Sequence, residues 1–310
     1  AYGRIIADGR GQIEKMVEFK DASDAERHVT LCNSGLMAAR STDLFTLLDT
    51  IDNDNAAGEY YLPDIVMLPG QASAVIEVAD AYEVTGVNSR GELAGLEAVW
   101  QNRRRAQAMV DGATLIAPET VWFSHDTVVG RDVTIEPNVF FGPGVTIADG
   151  ATIHGFSHLE GADVGHGCAV GPYARLRPGA VMKAGSKVGN FVEMKKAVLG
   201  EGAKANHLSY LGDAEIGAKA NIGAGTITCN YDGYFKYKTV IGEPAFIGSN
   251  SSLIAPVKIG ADAIVAAGSA VSRDVMDGEL RLVRAEQLVK DGWADRFHET
   301  MKKKKADKKG

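Results

Sequence analysis

The sequence is short of several things, and each shortage excludes something. No apolar run approaches the roughly 20 residues that cross a bilayer, and no signal-peptide pattern opens the chain, so no membrane association is expected. Aromatic residues make up 7% of the 310 and the net charge is −7, which gives neither a base-stacking platform nor a basic footprint. No nucleic-acid partner is expected. Cysteine occurs three times, as Cys32, Cys168 and Cys229, an odd number at spacings that fit neither a zinc site nor a disulfide framework. That usage suits a reducing, cytoplasmic location. Proline is also scarce, at 9, but glycine is not: 36 residues are about 12% of the chain against a usual ~7%. The excess calls for a structural cause.

The chain opens Ala1-Tyr2-Gly3-Arg4-Ile5, without Met and almost directly in strand-like sequence, so residues upstream are expected. Residues 1–88 mix short strands and helices. Residues 3–6 and 15–18 read as a hairpin around Asp8-Gly9-Arg10-Gly11. Residues 43–51 read as a helix with Leu44, Leu47, Leu48 and Ile51 on one side. Residues 89–112 read as a connecting helix with Leu93, Leu96, Val99 or Trp100 and Met109 near helical spacing. Its Arg103-Arg104-Arg105 run reads as a solvated face, and Gly112 as its stop.

From Val129 a six-residue period takes over. An aliphatic residue followed by a small one recurs, as in Val164-Gly165, Val188-Gly189, Ile222-Gly223 and Ile259-Gly260. About twenty such hexads predict a parallel β-helix over residues 113–284. The aliphatic residue points inward and the small one lets the corner turn. Three hexads close one coil, and eight coils at about 4.8 Å would stand roughly 40 Å tall. The period shortens near Lys196 and Glu215, and an interruption over residues 229–240 must leave the solenoid as a loop. Residues 285–310, ending in a lysine-rich run, read as a solvated, disordered tail with a short helix candidate.

Side chains alternate in and out along a strand, so Arg177, after Leu176, and Lys195, after Met194, point outward. They lie 18 residues apart, one full coil, and should stack. Tyr210 and Asn221 also face out, with His207 at a corner between them. A solvated polar ladder and an anion site with a base beside it both fit this set. His154, His158 and His166 lie at spacings of four and eight, which are not coil multiples, so their rings should scatter rather than hold zinc.

Long, specific stretches carry a resemblance. They are Gly171-Pro-Tyr-Ala-Arg-Leu-Arg-Pro-Gly179, Val188-Gly-Asn-Phe-Val-Glu-Met-Lys-Lys196, Asn206-His-Leu-Ser-Tyr-Leu-Gly-Asp-Ala-Glu-Ile-Gly217 and the run from Asn221 through Gly233. Tyr2-Gly-Arg-Ile5, Val17-Glu-Phe-Lys-Asp21, Asn33-Ser-Gly35, Gly58-Glu-Tyr-Tyr-Leu62 and Gly86-Val-Asn-Ser-Arg90 extend it over almost the whole chain. The sequence resembles the family of bacterial bifunctional N-acetylglucosamine-1-phosphate uridyltransferase/glucosamine-1-phosphate acetyltransferases. The resemblance implies a partial α/β nucleotidyltransferase domain, a connecting helix and a left-handed, trimeric β-helix with its sites at subunit interfaces. It implies acetyl transfer from acetyl-CoA, as co-substrate, to the amine of glucosamine 1-phosphate, on the way to UDP-N-acetylglucosamine.

By the same resemblance His207 is the general base, a role suited to an imidazole whose ordinary pKa is about 6.5. Arg177, Lys195, Tyr210, Asn221 and Lys236 would hold the sugar phosphate. Ala224, Asn230, Tyr231, Ser249, Ala267 and Arg284 would hold acetyl-CoA. Gly3, Glu18, Asn33 and Asn88 match UDP-sugar contacts, and Asn88 a magnesium ligand. The family's Gly-rich nucleotide loop and metal-binding aspartate have no counterpart in these residues, so uridyl transfer, with its magnesium, is not expected of them. A non-catalytic β-helix that serves trimerisation or regulation is the alternative.

Overall fold

A computed structural model describes residues 2–308 apart from residues 56, 69 and 71. The chain divides into two compact units, residues 1–100 and 101–310.

In the smaller unit, Arg4–Ala7 pairs antiparallel with Ile13–Val17, bringing the buried Ile5 opposite the buried Met16. The Asp8 carboxylate accepts from the N–H groups of Arg10 and Gln12, at 2.8 and 2.9 Å, and so ties the connecting turn. The second helix is Ser41–Leu48, shorter than expected, and its leucines are only half-buried. The two-stranded ladder is the only sheet among the described residues of this unit. The expected partial α/β domain is thus present as a hairpin, short helices and 3-10 turns rather than as a layered sheet.

Helix Arg90–Val110 spans the point of division, and Gly112 stops it in a left-handed conformation, φ 109°. The larger unit is a left-handed parallel β-helix with three faces. The first face carries ten rungs, from Thr114–Leu115 to Leu280–Arg281, two more than the hexad count predicts. Its inward column runs Leu115, Ile135, Ile153, Val170, Val188, Ala205, Ile222, Ile247, Val265 and Arg281. Each apolar member is buried, so one CH₂-rich column per face forms the core. Where glycine follows an inward residue, the next rung packs too close for a side chain. A Cβ on Gly189 would lie 1.9 Å from the Asn206 carbonyl oxygen, and one on Gly223 2.5 Å from the Ser249 nitrogen.

Three corners between the second and third faces are one residue short, at Gly161, Lys196 and Asp213, with φ 52°, 46° and 46°. Strands Glu193–Leu199 and Tyr210–Ile216 consequently run through from the second face to the third, and the coil repeat there is 17 residues instead of 18. The chain leaves the solenoid after Ile227–Cys229 and returns at Thr239–Ile241.

Both ends of the solenoid leave unpaired main-chain groups, and polar side chains from nearby segments take them. The Gln101 amide mimics a further strand: it donates to the Phe123 carbonyl at 2.7 Å and accepts from the Phe123 N–H at 3.0 Å. Arg105 donates to the carbonyls of Glu119 and Val121, Arg104 to that of Thr127. The arginine run is therefore not a solvated face as expected. Arg105 is buried because it replaces missing ladder partners, while Leu93 and Met109 stay exposed. At the far end Arg281 closes the aliphatic column and donates to the Asp274 carbonyl at 3.1 Å. The tail also departs from expectation: Trp293–Asp307 is an exposed helix that takes in the lysine run. Its basic last turn suits the helix dipole, and Trp293 stacks on Phe297 at 5.1 Å.

Candidate functional site

One corner of the prism, between the first and second faces, collects the expected base and most of the expected acetyl-CoA set. Asn190 pairs in register with His207. Main-chain bonds then climb the corner: Leu208 N–H to Asn190 O at 3.0 Å, Gly225 N–H to His207 O at 3.3 Å, Asn250 N–H to Ala224 O and Gly268 N–H to Ser249 O, both at 2.8 Å. Where no further rung exists, the Arg284 guanidinium donates to Ala267 O at 2.9 Å. Asn190, His207, Ala224, Ser249, Ala267 and Arg284 thus form one continuous column. The N–H groups of Ala224, Ser249 and Ala267 have no acceptor among the described residues. They are free donors along the corner, where an amide-bearing arm could lie.

The neighbouring corner position changes character at the same height. Below, it holds exposed rings, Phe156 on Tyr173 at 4.9 Å and Tyr173 on Phe191 at 5.2 Å, followed by the exposed Leu208. Above, it holds Gly225, Asn250 and Gly268. Bulk ends at His207, and the glycines leave the upper column open.

The cations sit at the far end of the second face. Leu176 opposes Met194, which stacks the following residues, Arg177 and Lys195. Arg177 is not bare: it donates to Glu193 Oε1 at 2.7 Å, and this bond holds its guanidinium firmly protonated. Lys195 is pushed below the ordinary lysine range, first by the Arg177 charge and then by Lys236 from the inserted loop. Three cations thus converge with one carboxylate bound among them. Tyr210 stands over Glu193 in the next rung. Its hydroxyl and the Asn230 amide close around Gly212, where a Cβ would meet them at 2.5 and 2.7 Å. Asn221 lies on the first face, across the corner from Tyr210, so one chain does not gather the whole sugar-phosphate set.

The rung above Gly212 departs into the loop, and Thr228 covers the break. Its hydroxyl accepts from the Gly212 N–H at 2.8 Å and lies 3.0 Å from the Gly212 carbonyl. The loop folds on Asp232, which accepts from the N–H groups of Tyr234 and Phe235 and from the Tyr237 hydroxyl. Those bonds hold its carboxyl below the usual range, Phe235 N–H first. Tyr231 bridges to Lys236, and Tyr234 and Phe235 project into solvent.

In the smaller unit, Gly3, Glu18 and Asn33 come together. Asn33 N–H donates to Gly3 O at 2.9 Å, and a Cβ on Gly3 would lie 3.1 Å from Glu18 Oε1. Glu18 lines a cavity of about 290 Å³ with Asp21, Asp54, Tyr61 and Asp64. Burial raises the Tyr61 phenol and the Asp64 carboxyl. Asn88 does not join them by any hydrogen bond among the described residues; its N–H donates to Glu92 at the start of the long helix.

The histidines scatter: His154 pairs with Glu136 at 2.9 Å and His158 stacks on Phe140 at 4.8 Å. No cluster of three or more metal-ligating side chains occurs among the described residues. All three cysteines are free thiols, and no helix among the described residues is long and apolar enough to cross a membrane. Sequence reading missed Asn190, Glu193, Gly212, Thr228 and Asp232. For Asn190 a signal existed: it precedes His207 by 17 residues, one shortened coil.

The bacterial transferase hexapeptide (six repeats) family model matches residues 126–161 and 238–273. The chain is 73% identical over 311 residues to the bifunctional protein GlmU of Novosphingobium aromaticivorans, covering 99% of this chain and 69% of the relative. It is 70% identical to that of Sphingopyxis alaskensis, covering 98% and 68%. Against that of Rhizorhabdus wittichii it is 66% identical, covering 100% and 69%. A solved UDP-N-acetylglucosamine O-acyltransferase from Moraxella catarrhalis is 13% identical at a TM-score of 0.32, over 59% of this chain and 76% of that one. Identity of this order, over nearly the whole chain and more than two thirds of each relative, means that the chain belongs to the family of the bifunctional protein GlmU.

Proposed function

We infer that the chain is an acetyl-CoA-dependent N-acetyltransferase that acetylates the amine of glucosamine 1-phosphate, giving N-acetylglucosamine 1-phosphate for UDP-N-acetylglucosamine synthesis. The observation that carries this reading is the corner column, which lines a histidine up with free N–H donors and ends in an arginine.

The chemistry follows from the groups present. The nucleophile must be a neutral amine, since an ammonium has no lone pair. His207 Nδ1 is engaged by Asn190 at 2.5 Å, which leaves Nε2 as the base. The amine nitrogen attacks the thioester carbonyl carbon and forms the new N–C bond, while Nε2 takes the amine proton. The C–S bond then breaks, and that proton is returned to the departing CoA thiolate. Arg177, Lys195 and Lys236 would meet the sugar phosphate, with Tyr210 and Asn221 on the sugar hydroxyls. Ala224, Ser249 and Ala267 would donate main-chain N–H groups to the pantetheine arm, beside Asn230 and Tyr231. Arg284 has donors to spare for a CoA phosphate after holding Ala267 O.

The working form would be a homotrimer with a site at each subunit interface. The separation of Asn221 from the cation cluster supports this, as do the exposed ring stack beside His207 and the bare aromatics of the loop. A cytoplasmic location would suit these substrates. Gly3, Glu18, Asn33 and Asn88 would form one side of a UDP-sugar site. A single Asn88 amide does not fit magnesium, and no carboxylate cluster among the described residues joins it.

The test is CoA thiol release from acetyl-CoA and glucosamine 1-phosphate, beside His207→Ala. Turnover by the parent chain and a fall of about 10²–10⁴ in the variant are expected. A folded trimer without turnover would favour a non-catalytic scaffold.

A further inference from the structure

We propose that Asn190 is the positioning residue of the catalytic histidine, fixing its tautomer from one rung below. The proposal rests on the reading of His207 as the general base. The Asn190 side-chain oxygen lies 2.5 Å from His207 Nδ1, and the two residues are register partners in adjacent strands, Lys187–Asn190 and Lys204–His207. A side-chain amide oxygen can only accept, so Nδ1 carries the hydrogen and Nε2 keeps its lone pair.

The surroundings hold both partners still. Leu208 N–H donates to the Asn190 carbonyl, which locks one rung to the next. The His207 carbonyl accepts from Gly225 N–H at 3.3 Å and from the buried Ser209 hydroxyl at 2.9 Å. The ring is exposed, so the Asn190 contact, rather than packing, sets its direction. Asn190 itself is half-buried and never needs to touch substrate.

A neutral acceptor has a further consequence. A carboxylate here would favour the imidazolium and keep the base protonated to higher pH. An amide orients the ring without that charge. The ionic groups of the same strands, Lys187 and Lys204, lie on the first face, and Glu193 on the second is engaged by Arg177.

The experiment compares Asn190→Ala, Asn190→Asp and His207→Ala as intact trimers, with kcat, KM and the pH profile of each. Asn190→Ala should lose about 10- to 100-fold in kcat, the cost of a misplaced catalytic group, with KM for glucosamine 1-phosphate within about threefold. Asn190→Asp should recover much of that rate while its acid limb moves to higher pH. Adding Asn190→Ala to His207→Ala should cost nothing more. Unchanged kcat in Asn190→Ala, with His207→Ala inactive, overturns the proposal alone. An acid limb that stays put in Asn190→Asp also overturns it. Full turnover by His207→Ala would instead remove the base assignment on which the proposal stands.

Discussion

Lys195 stands one rung above Arg177, and the guanidinium holds its ammonium below the ordinary lysine range, with Lys236 adding to the effect. A lowered lysine pKa means that folding disfavours the charged form. The repulsion is therefore present below the folded pKa and is relieved as pH rises through it, or when an anion arrives. Lys195→Met should stabilise the unliganded protein against heat at neutral pH. It should also raise KM for glucosamine 1-phosphate by about tenfold or more, as expected for a lost charge-assisted hydrogen bond. Thermal shifts with inorganic phosphate check both halves: the parent should gain more than the variant.

Gly212 keeps the space between Tyr210 and Asn230 empty. The methyl of Gly212→Ala would sit 2.5 Å from the Tyr210 hydroxyl and 2.7 Å from the Asn230 amide. Both are side-chain ends that can swing away, so the variant should fold. KM for the sugar phosphate and for acetyl-CoA should rise together. A rise in neither would remove Tyr210 and Asn230 from the site.

Thr228 and Thr239 invite the same substitution with opposite outcomes. The Thr228 hydroxyl satisfies Gly212 N–H, so Thr228→Val should cost about 1–3 kcal/mol, the usual penalty for a buried donor left unpaired. The Thr239 hydroxyl is buried without a partner among the described residues, so Thr239→Val should be neutral or stabilising. Urea midpoints of the two variants measured side by side give the signs.

Asp232 organises the inserted loop, and its carboxyl is held below the usual range. Its contribution is full above the ordinary aspartate pKa and is lost as pH falls through the lowered folded value. The loop should therefore keep its resistance to trypsin at mildly acidic pH. Asp232→Ala should expose Lys236 and Lys238 to cleavage at neutral pH and raise KM for both substrates. Equal cleavage of parent and variant would dismiss Asp232 as the hub.

The hexad period made the solenoid legible because inward aliphatic and small corner residues repeat in the chain itself. The stacking of Arg177 on Lys195 followed from their spacing of one 18-residue coil. The column through Asn190 and His207 was harder to see, because the missing corner residues at Lys196 and Asp213 change the repeat to 17. The burial of Gln101 and Arg105 was hidden for another reason. Helical periodicity ranks residues by hydrophobicity, whereas these two are buried to satisfy strand edges. Glu193 and Asp232 act through hydrogen bonds that no spacing rule encodes.

The corner column also works as a ruler. From His207 the chain climbs three rungs, through Ala224 and Ser249 to Ala267, or roughly 14 Å at about 4.8 Å per rung, and Arg284 reaches back to the last of them. The rungs are tied to one another by main-chain bonds and Arg284 to Ala267 by its guanidinium, so the graduations cannot slide independently. A thioester whose carrier is too short to span them would reach the base or the arginine, but not both. Acyl-carrier length would then be selected by counting coils, and deleting one whole coil should change the preferred carrier while leaving the reaction itself intact.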